Sequence, residues 1–141
     1  MRGFAVIGLY APKTSINVGH VLRAAHCFGA VLVVVEGKRY QKAPTDCTHA
    51  SRHLPLINNT LLNVKPHGAI SIAVEITDNA QSLVNFKHPQ SAYYMFGPED
   101  GSLPIHIIES CQEVVSIPST YCLNLAMTVN IVLYDRMSKG V

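Results

Sequence analysis

Asn17-Val18-Gly19-His20-Val21-Leu22-Arg23-Ala24-Ala25-His26-Cys27-Phe28-Gly29 is the stretch from which the fold can be read. At about 100° per residue, Val18, Val21, Leu22, Ala25 and Phe28 fall on one side of a helix and His20, Arg23 and Cys27 on the other. The spacing predicts an amphipathic helix that buries one face and presents Arg23 on the opposite one. Asn17 and Gly19 supply capping chemistry at its start, and Gly29 supplies a left-handed stop. The helix lies between two near-continuous apolar runs, Phe4 to Leu9 and Val31 to Val35, as expected of strands covered on both faces of a parallel sheet. Taken alone, Arg23 reads as a solvated charge on an ordinary crossover helix.

Outward from that unit the alternation continues. Ala69 to Ile76, Ala92 to Phe96 and Val114 to Ile117 read as strands, with Leu54 to Ile57 a weaker one. Helices are expected at Thr60 to Val64, Ser82 to Phe86, Ile105 to Ser110 and about Asn124 to Met137. The last is apolar nearly all round and should be buried, in the core or between subunits. The 141 residues contain no repeat, low-complexity segment or linker, and make one doubly wound α/β domain over residues 1–141, with a mostly parallel sheet flanked by helices.

Composition restricts the class further. No apolar run approaches the length of a membrane span, and the N-terminus lacks a secretory profile, so a cytoplasmic protein without membrane association is expected. Cys27, Cys47, Cys111 and Cys122 are widely separated and read as reduced thiols, mostly core, with no metal site. His49 and His53 stand at i and i+4 but lack a third ligand. Charged residues make up 14% against 48% hydrophobic, less charge than a small monomer uses to cover its surface, which points to an oligomer interface. Net charge is only +2, although Lys38, Arg39, Lys42 and Arg52 gather in one loop that could track phosphates or simply be solvated. No phosphate-binding glycine loop follows a strand, and no nucleophile elbow is present.

Two turns remain at the carboxyl ends of expected strands, where open α/β sheets bind ligands. One is Tyr94-Met-Phe-Gly-Pro-Glu-Asp-Gly-Ser-Leu-Pro104, which holds the carboxylate of Glu99; the other is Val115-Ser-Ile-Pro-Ser-Thr-Tyr-Cys-Leu-Asn124. By composition alone both are turns.

Three segments in order carry a resemblance: Asn17-x-Gly19-x-x-x-Arg23 with Phe28-Gly29; Phe96-Gly97-Pro98-Glu99-x-Gly101-x-Leu103-Pro104; and Ile117-Pro118 with Leu123-Asn124-Leu125 and Ile131-Val-Leu-Tyr134. Together they resemble the motifs of the SpoU/TrmH branch of the SPOUT RNA methyltransferases. The likeness covers essentially the whole chain and is greatest to the small single-domain tRNA 2'-O-methyltransferases of the TrmL (YibK) type. The resemblance implies a C-terminal deep trefoil knot, a homodimer packed through the first and last helices, and S-adenosyl-L-methionine bound by Val74, Phe96, Gly97, Ile117, Leu123 and Asn124. It implies methylation of a ribose 2'-hydroxyl in RNA, with transfer RNA favoured, at a catalytic group of Arg23, Asn17 and Glu99. RNA would lie on Arg23, Lys38, Arg39, Lys42 and Arg52. The third motif departs from the family's Ser-Leu-Asn-Val-Ser, reading Cys122-Leu-Asn-Leu-Ala126 here. An inactive RNA-binding module and a ribosomal RNA methyltransferase are the alternatives.

Overall fold

The computed structural model describes residues 3–38 and 53–141. Arg39, Lys42, Cys47, His49 and Arg52 lie outside the described residues.

Among the described residues seven strands form one sheet: β1 (Ala5–Tyr10), β2 (Leu32–Glu36), β3 (Leu56–Asn58), β4 (Ile70–Val74), β5 (Gln81–Ser82), β6 (Ala92–Phe96) and β7 (Glu113–Ser116). Their order is β3-β2-β1-β6-β4-β7-β5, and every pairing is parallel. All the carboxyl ends therefore lie along one edge of the sheet. Among the described residues three α-helices, α1 (Ser15–Cys27), α2 (Ile105–Ser110) and α3 (Leu125–Ser138), join 3-10 turns at Leu61–Val64 and Leu83–Asn85.

Alternation along the strands divides the core in two. Ile7, Leu9, Ile72, Val74, Tyr94 and Phe96 face α1 and α3 on one side, while Val6, Ala73, Tyr93 and Met95 face α2 and the first 3-10 turn on the other. Both sides are dry, which explains why the central strands read as unbroken apolar runs.

Several boundaries differ from the sequence expectation. The first helix starts two residues before Asn17, and Thr14 is its cap: the Thr14 Oγ1 accepts from the Asn17 N–H at 3.3 Å. This leaves the Asn17 side chain free for another role. At the other end the expectation for Gly29 holds. Gly29 has φ +74°, its N–H bonds the His26 carbonyl, and the Ala30 N–H bonds the Ala25 carbonyl at 2.9 Å, a Schellman closure. Ser82 to Phe86 is not a helix but the edge strand β5 followed by a 3-10 turn. Its run Gln81-Ser82 is too short to carry an alternation signal. The cysteines among the described residues also depart from expectation: Cys27 and Cys122 are exposed and Cys111 is partly buried, where desolvation pushes its thiol up to about 11.

α3 packs against α1 and buries Leu125, Ala126, Val129, Val132 and Leu133. Met127, Tyr134 and Met137 on its outer side are each more than half exposed. The helix is thus half core, half an uncovered apolar face. Among the described residues, no helix is long and apolar enough to cross a membrane.

Candidate functional site: a cleft at the carboxyl edge

A cleft with a cavity volume of about 170 Å³, partly open to solvent, lies beyond the carboxyl ends of β4, β6 and β7. Val74 ends β4, Phe96 ends β6 and leads into Gly97, and Ile117 follows β7; with Leu123 these form much of the wall. Five of the six residues expected to hold the methyl donor therefore meet in one cavity. Asn124 does not line it. It stands behind the wall as the cap of α3, its Oδ1 accepting from Ala126 and Met127 N–H at 2.9 and 3.4 Å.

The loop after β6 folds back tightly. A Cβ built on Gly97 would lie 2.7 Å from the Leu103 nitrogen and 2.9 Å from the Ser102 carbonyl carbon, both backbone atoms that cannot swing aside. Only glycine permits this approach. The return is pinned from the neighbouring strand end, where Glu75 Oε2 accepts the Leu103 N–H at 3.0 Å and Oε1 accepts the Ile76 N–H at 3.2 Å. Glu75 was not a sequence candidate, because its partner lies 28 residues away and nothing local marks it.

A chain of hydrogen bonds joins the three motifs. Asn17 Nδ2 donates to Glu99 Oε1 at 2.8 Å, the Lys13 N–H donates to Glu99 Oε2 at 2.7 Å, and Asn124 Nδ2 donates to Asn17 Oδ1 at 3.2 Å. Asn17 thus clamps the loop after β6 to the start of α3, with both ends of its amide used. Both Glu99 oxygens are likewise committed. Among the lining residues the charged ones are Glu75 and Glu99, and no lysine, arginine or histidine is with them. The wall thus combines apolar side chains, the hydroxyls of Ser116, Ser119 and Thr128, and two carboxylates.

Arg23 lies apart from this cavity. It is exposed on α1, six residues past Asn17, about 9 Å along the axis at 1.5 Å per residue. It has no hydrogen-bond or ion-pair partner among the described residues. Lys38 is exposed just beyond β2. His53 stacks on His26 of α1 with ring centroids 5.2 Å apart, tying the end of the basic segment to the exposed side of the helix. Among the described residues no group of three or more His, Cys, Asp or Glu is placed to hold a metal ion.

A sheet whose pairings among the described residues are all parallel, with a cleft at its carboxyl edge, defines an open-sheet α/β protein. The sequence places it more narrowly. The SpoU rRNA Methylase family matches residues 5–134, and the chain belongs to that family. None of the curated proteins matches the chain. Among solved structures, the SpoU methyltransferase AviRb from Streptomyces viridochromogenes, in complex with the cofactor AdoMet, is similar with a TM-score of 0.84 at 20% identity, over 99% of this chain and 58% of that one. The A. aeolicus TrmH/SpoU tRNA modifying enzyme is similar with a TM-score of 0.84 at 14% identity, over 96% and 74%. A protein whose structure concerns the 2-OH methylation of C/U34 on tRNA is similar with a TM-score of 0.80 at 22% identity, over 97% and 96%. The chain thus spans less than two thirds of AviRb and nearly the full length of the third protein.

Proposed function

We propose that the protein methylates a ribose 2'-hydroxyl in RNA, with transfer RNA the favoured substrate and S-adenosyl-L-methionine the methyl donor, as in TrmL-type enzymes. One observation carries the reading: the second and third motif segments, far apart in sequence, line one cleft, and the first is bonded to both through Asn17, which joins Glu99 and Asn124. The cleft residues fit the donor. Apolar walls from Val74, Phe96, Ile117 and Leu123 suit the adenosine, the close backbone at Gly97 suits a ligand held by main-chain groups, and carboxylates without basic neighbours suit a cation.

When bound, S-adenosylmethionine supplies a methyl group already activated by its sulfonium charge. The chain's own residues then have to bind and align the RNA. Arg23 is suited to a phosphate beside the target ribose and to the charge that develops on the 2'-oxygen, since guanidinium offers five donors and stays protonated. Asn17 and Glu99 fix the start of α1, and therefore the bearing of Arg23, against the donor cleft. Lys38, exposed beyond β2, and the neighbouring Arg39, Lys42 and Arg52 of the sequence are the cations offered to the RNA backbone.

The same reading includes the C-terminal knot and a cytoplasmic homodimer. The outer face of α3, with Met127, Tyr134 and Met137 exposed, and the low overall charge support a second copy packed there. Light scattering at micromolar concentration should give twice the chain mass. The decisive experiment incubates purified protein and labelled S-adenosylmethionine with total RNA from a strain lacking the protein, and maps ribose methylation in the product. Transfer to a ribose 2'-oxygen is expected. Donor binding without transfer to any RNA would replace the enzyme with an RNA-binding module.

A further inference from the structure

The two loops that wall the donor cleft leave strands on either side of β4, and one carboxylate stands between them. Val74 pairs with Phe96 on one side and with Val115 on the other, so β4 ends between the strand that leads to Gly97 and the strand that leads to Ile117. Glu75 is the next residue, and its N–H donates to the Val115 carbonyl at 3.0 Å. Its carboxylate lines the cleft and is held by two main-chain donors, Oε2 accepting the Leu103 N–H at 3.0 Å and Oε1 the Ile76 N–H at 3.2 Å. Each oxygen keeps a further lone pair. Among the described residues no lysine, arginine or histidine shares the lining, so no ion pair within the cleft neutralises this charge. Glu99, the other lining carboxylate, serves the clamp to α1 through Asn17 and the Lys13 N–H.

A carboxylate fixed in this way acts on a bound ligand through its field, and the field responds to the ligand's net charge. In S-adenosylmethionine the amino and carboxyl groups offset each other, which leaves the sulfonium as the net charge. Methyl transfer removes it: the carbon goes to the 2'-oxygen, the sulfur keeps the bonding electron pair as a neutral thioether, and the hydroxyl proton passes to solvent. Donor and product therefore share the adenosine and the amino-acid tail and differ by one methyl group and one charge. The apolar walls of Val74, Phe96 and Ile117 meet parts that both ligands possess, whereas a lone anionic charge meets the part that differs.

We propose that Glu75 is the residue that favours the methyl donor over the demethylated product in this cleft, resting on the methyltransferase reading above. Its attraction for the sulfonium disappears once the methyl group has moved, so replacement of product by fresh donor is built into the binding site. The role is one of ligand specificity, and Glu75 takes no part in the transfer of the proton. Its position follows from the fold: the end of β4 is the place from which one side chain reaches the space between the loops after β6 and β7.

The test measures by calorimetry the affinities of S-adenosylmethionine and S-adenosylhomocysteine for wild type, Glu75→Gln, Glu75→Asp and, as a control, Glu109→Gln, which alters an exposed carboxylate on α2. Glutamine has nearly the same shape and no charge. In Glu75→Gln the ratio of donor affinity to product affinity should fall about 10-fold, the order expected for removing one charge beside another in a partly open site. Aspartate keeps the charge on a shorter stem, so Glu75→Asp should hold the wild-type ratio even where the lost reach to Leu103 weakens both ligands. Glu109→Gln should match wild type in both affinities. Wild type itself supplies a readout that needs no variant to fold: its ratio should narrow as salt is raised from about 0.05 to 1 M. Equal weakening of both ligands in Glu75→Gln would make Glu75 a support for the Leu103 loop and overturn the proposal. An unchanged ratio in that variant, or a wild-type ratio indifferent to salt, would overturn it while leaving the methyltransferase standing. If wild type binds neither ligand, the methyltransferase reading fails and the role of Glu75 falls with it.

Discussion

α3 ends in two polar networks of opposite character. At its start, Asn124 joins Asn17, Glu99 and Lys13 at a partly open rim. At its finish, 14 residues and about 21 Å away, Arg136 and Asp135 enter a buried cluster with His88 and Tyr94. Arg136 is 7% exposed and donates to the carbonyls of Pro89, Gln90 and Phe4 and to the Tyr94 hydroxyl. Lys139 adds bonds to the Leu83 and Phe86 carbonyls and to Asp135. The network at the end of α3 satisfies partly buried main-chain carbonyls through a buried arginine, so its loss is a loss of stability. The rim network aligns parts that water could otherwise solvate, so its loss is a loss of alignment. One helix therefore carries an anchor at one end and a positioning clamp at the other.

The largest effect separating the two ends should come from Arg136→Ala. It strands the carbonyls of Pro89, Gln90 and Phe4 near the amino ends of β1 and β6, and it should cost about 3 kcal/mol or more in urea unfolding. A midpoint unchanged from wild type would remove the anchor role. Arg23→Ala should do the reverse: transfer falls on the order of 100-fold while stability moves by no more than about 0.5 kcal/mol, because the side chain is exposed and leaves no cavity. Arg23→Lys refines this, since lysine keeps the charge without the planar fork. A wild-type single-turnover rate in Arg23→Ala would return Arg23 to the status of a solvated charge.

Glu99→Gln tests the clamp itself and should act less strongly. Both Glu99 oxygens accept from N–H donors, and an amide can replace only one of them, because its NH₂ would face a donor. Transfer should fall about 10-fold, with RNA and donor still bound, since the neighbouring Asn17–Asn124 bond survives. Equal transfer by the variant would show that the rim bonds do not set the bearing of α1.

The two ends also differ in how far the sequence discloses them. β1, β6, α2 and α3 are visible as apolar runs and caps, with Ala92–Phe96 and Ile105–Ser110 expected at their observed bounds. Glu99 and Asn124 stand in segments that follow expected strands and Asn17 near the start of the first helix, but it is the resemblance to the SpoU/TrmH motifs that singles the three out. The anchor is not visible. Arg136 in the last turn of an apolar helix has the sign that suits a helix C-terminus, and only the fold, bringing residue 136 to residues 4, 89 and 90, turns it inward. Glu75 is hidden for the same reason, as a carboxylate whose partner is a backbone N–H on another loop. Local periodicity carries elements, whereas long-range hydrogen bonds depend on topology that no window of sequence contains.

The smallest effect, and the one that most sharpens the contrast, is the pH response of the anchor. Burial outweighs the Asp135 carboxylate and lowers the His88 pKa, so at neutral pH the ring is uncharged. In that form Nε2–H donates to Asp135 Oδ2 at 2.7 Å and Nδ1 accepts from the Tyr94 hydroxyl at 2.6 Å, so each nitrogen has its proper partner. An unfolded histidine titrates near pH 6.5, above the folded value, so the unfolded chain binds the proton first as pH falls. The contribution of neutral His88 is therefore fully present above about pH 6.5 and is lost as pH falls from there toward the lowered folded value. The slope from this one group is at most about 1.4 kcal/mol per pH unit. His88→Gln should be less stable at pH 7.5 and should show a flatter decline in urea midpoint from pH 7.5 to 5.5 than wild type. Glu99→Gln, altered at the rim, should keep the wild-type slope. If His88→Gln also keeps it, the acid sensitivity of the fold belongs to other groups, and the buried end of α3 is an anchor without a titrating member.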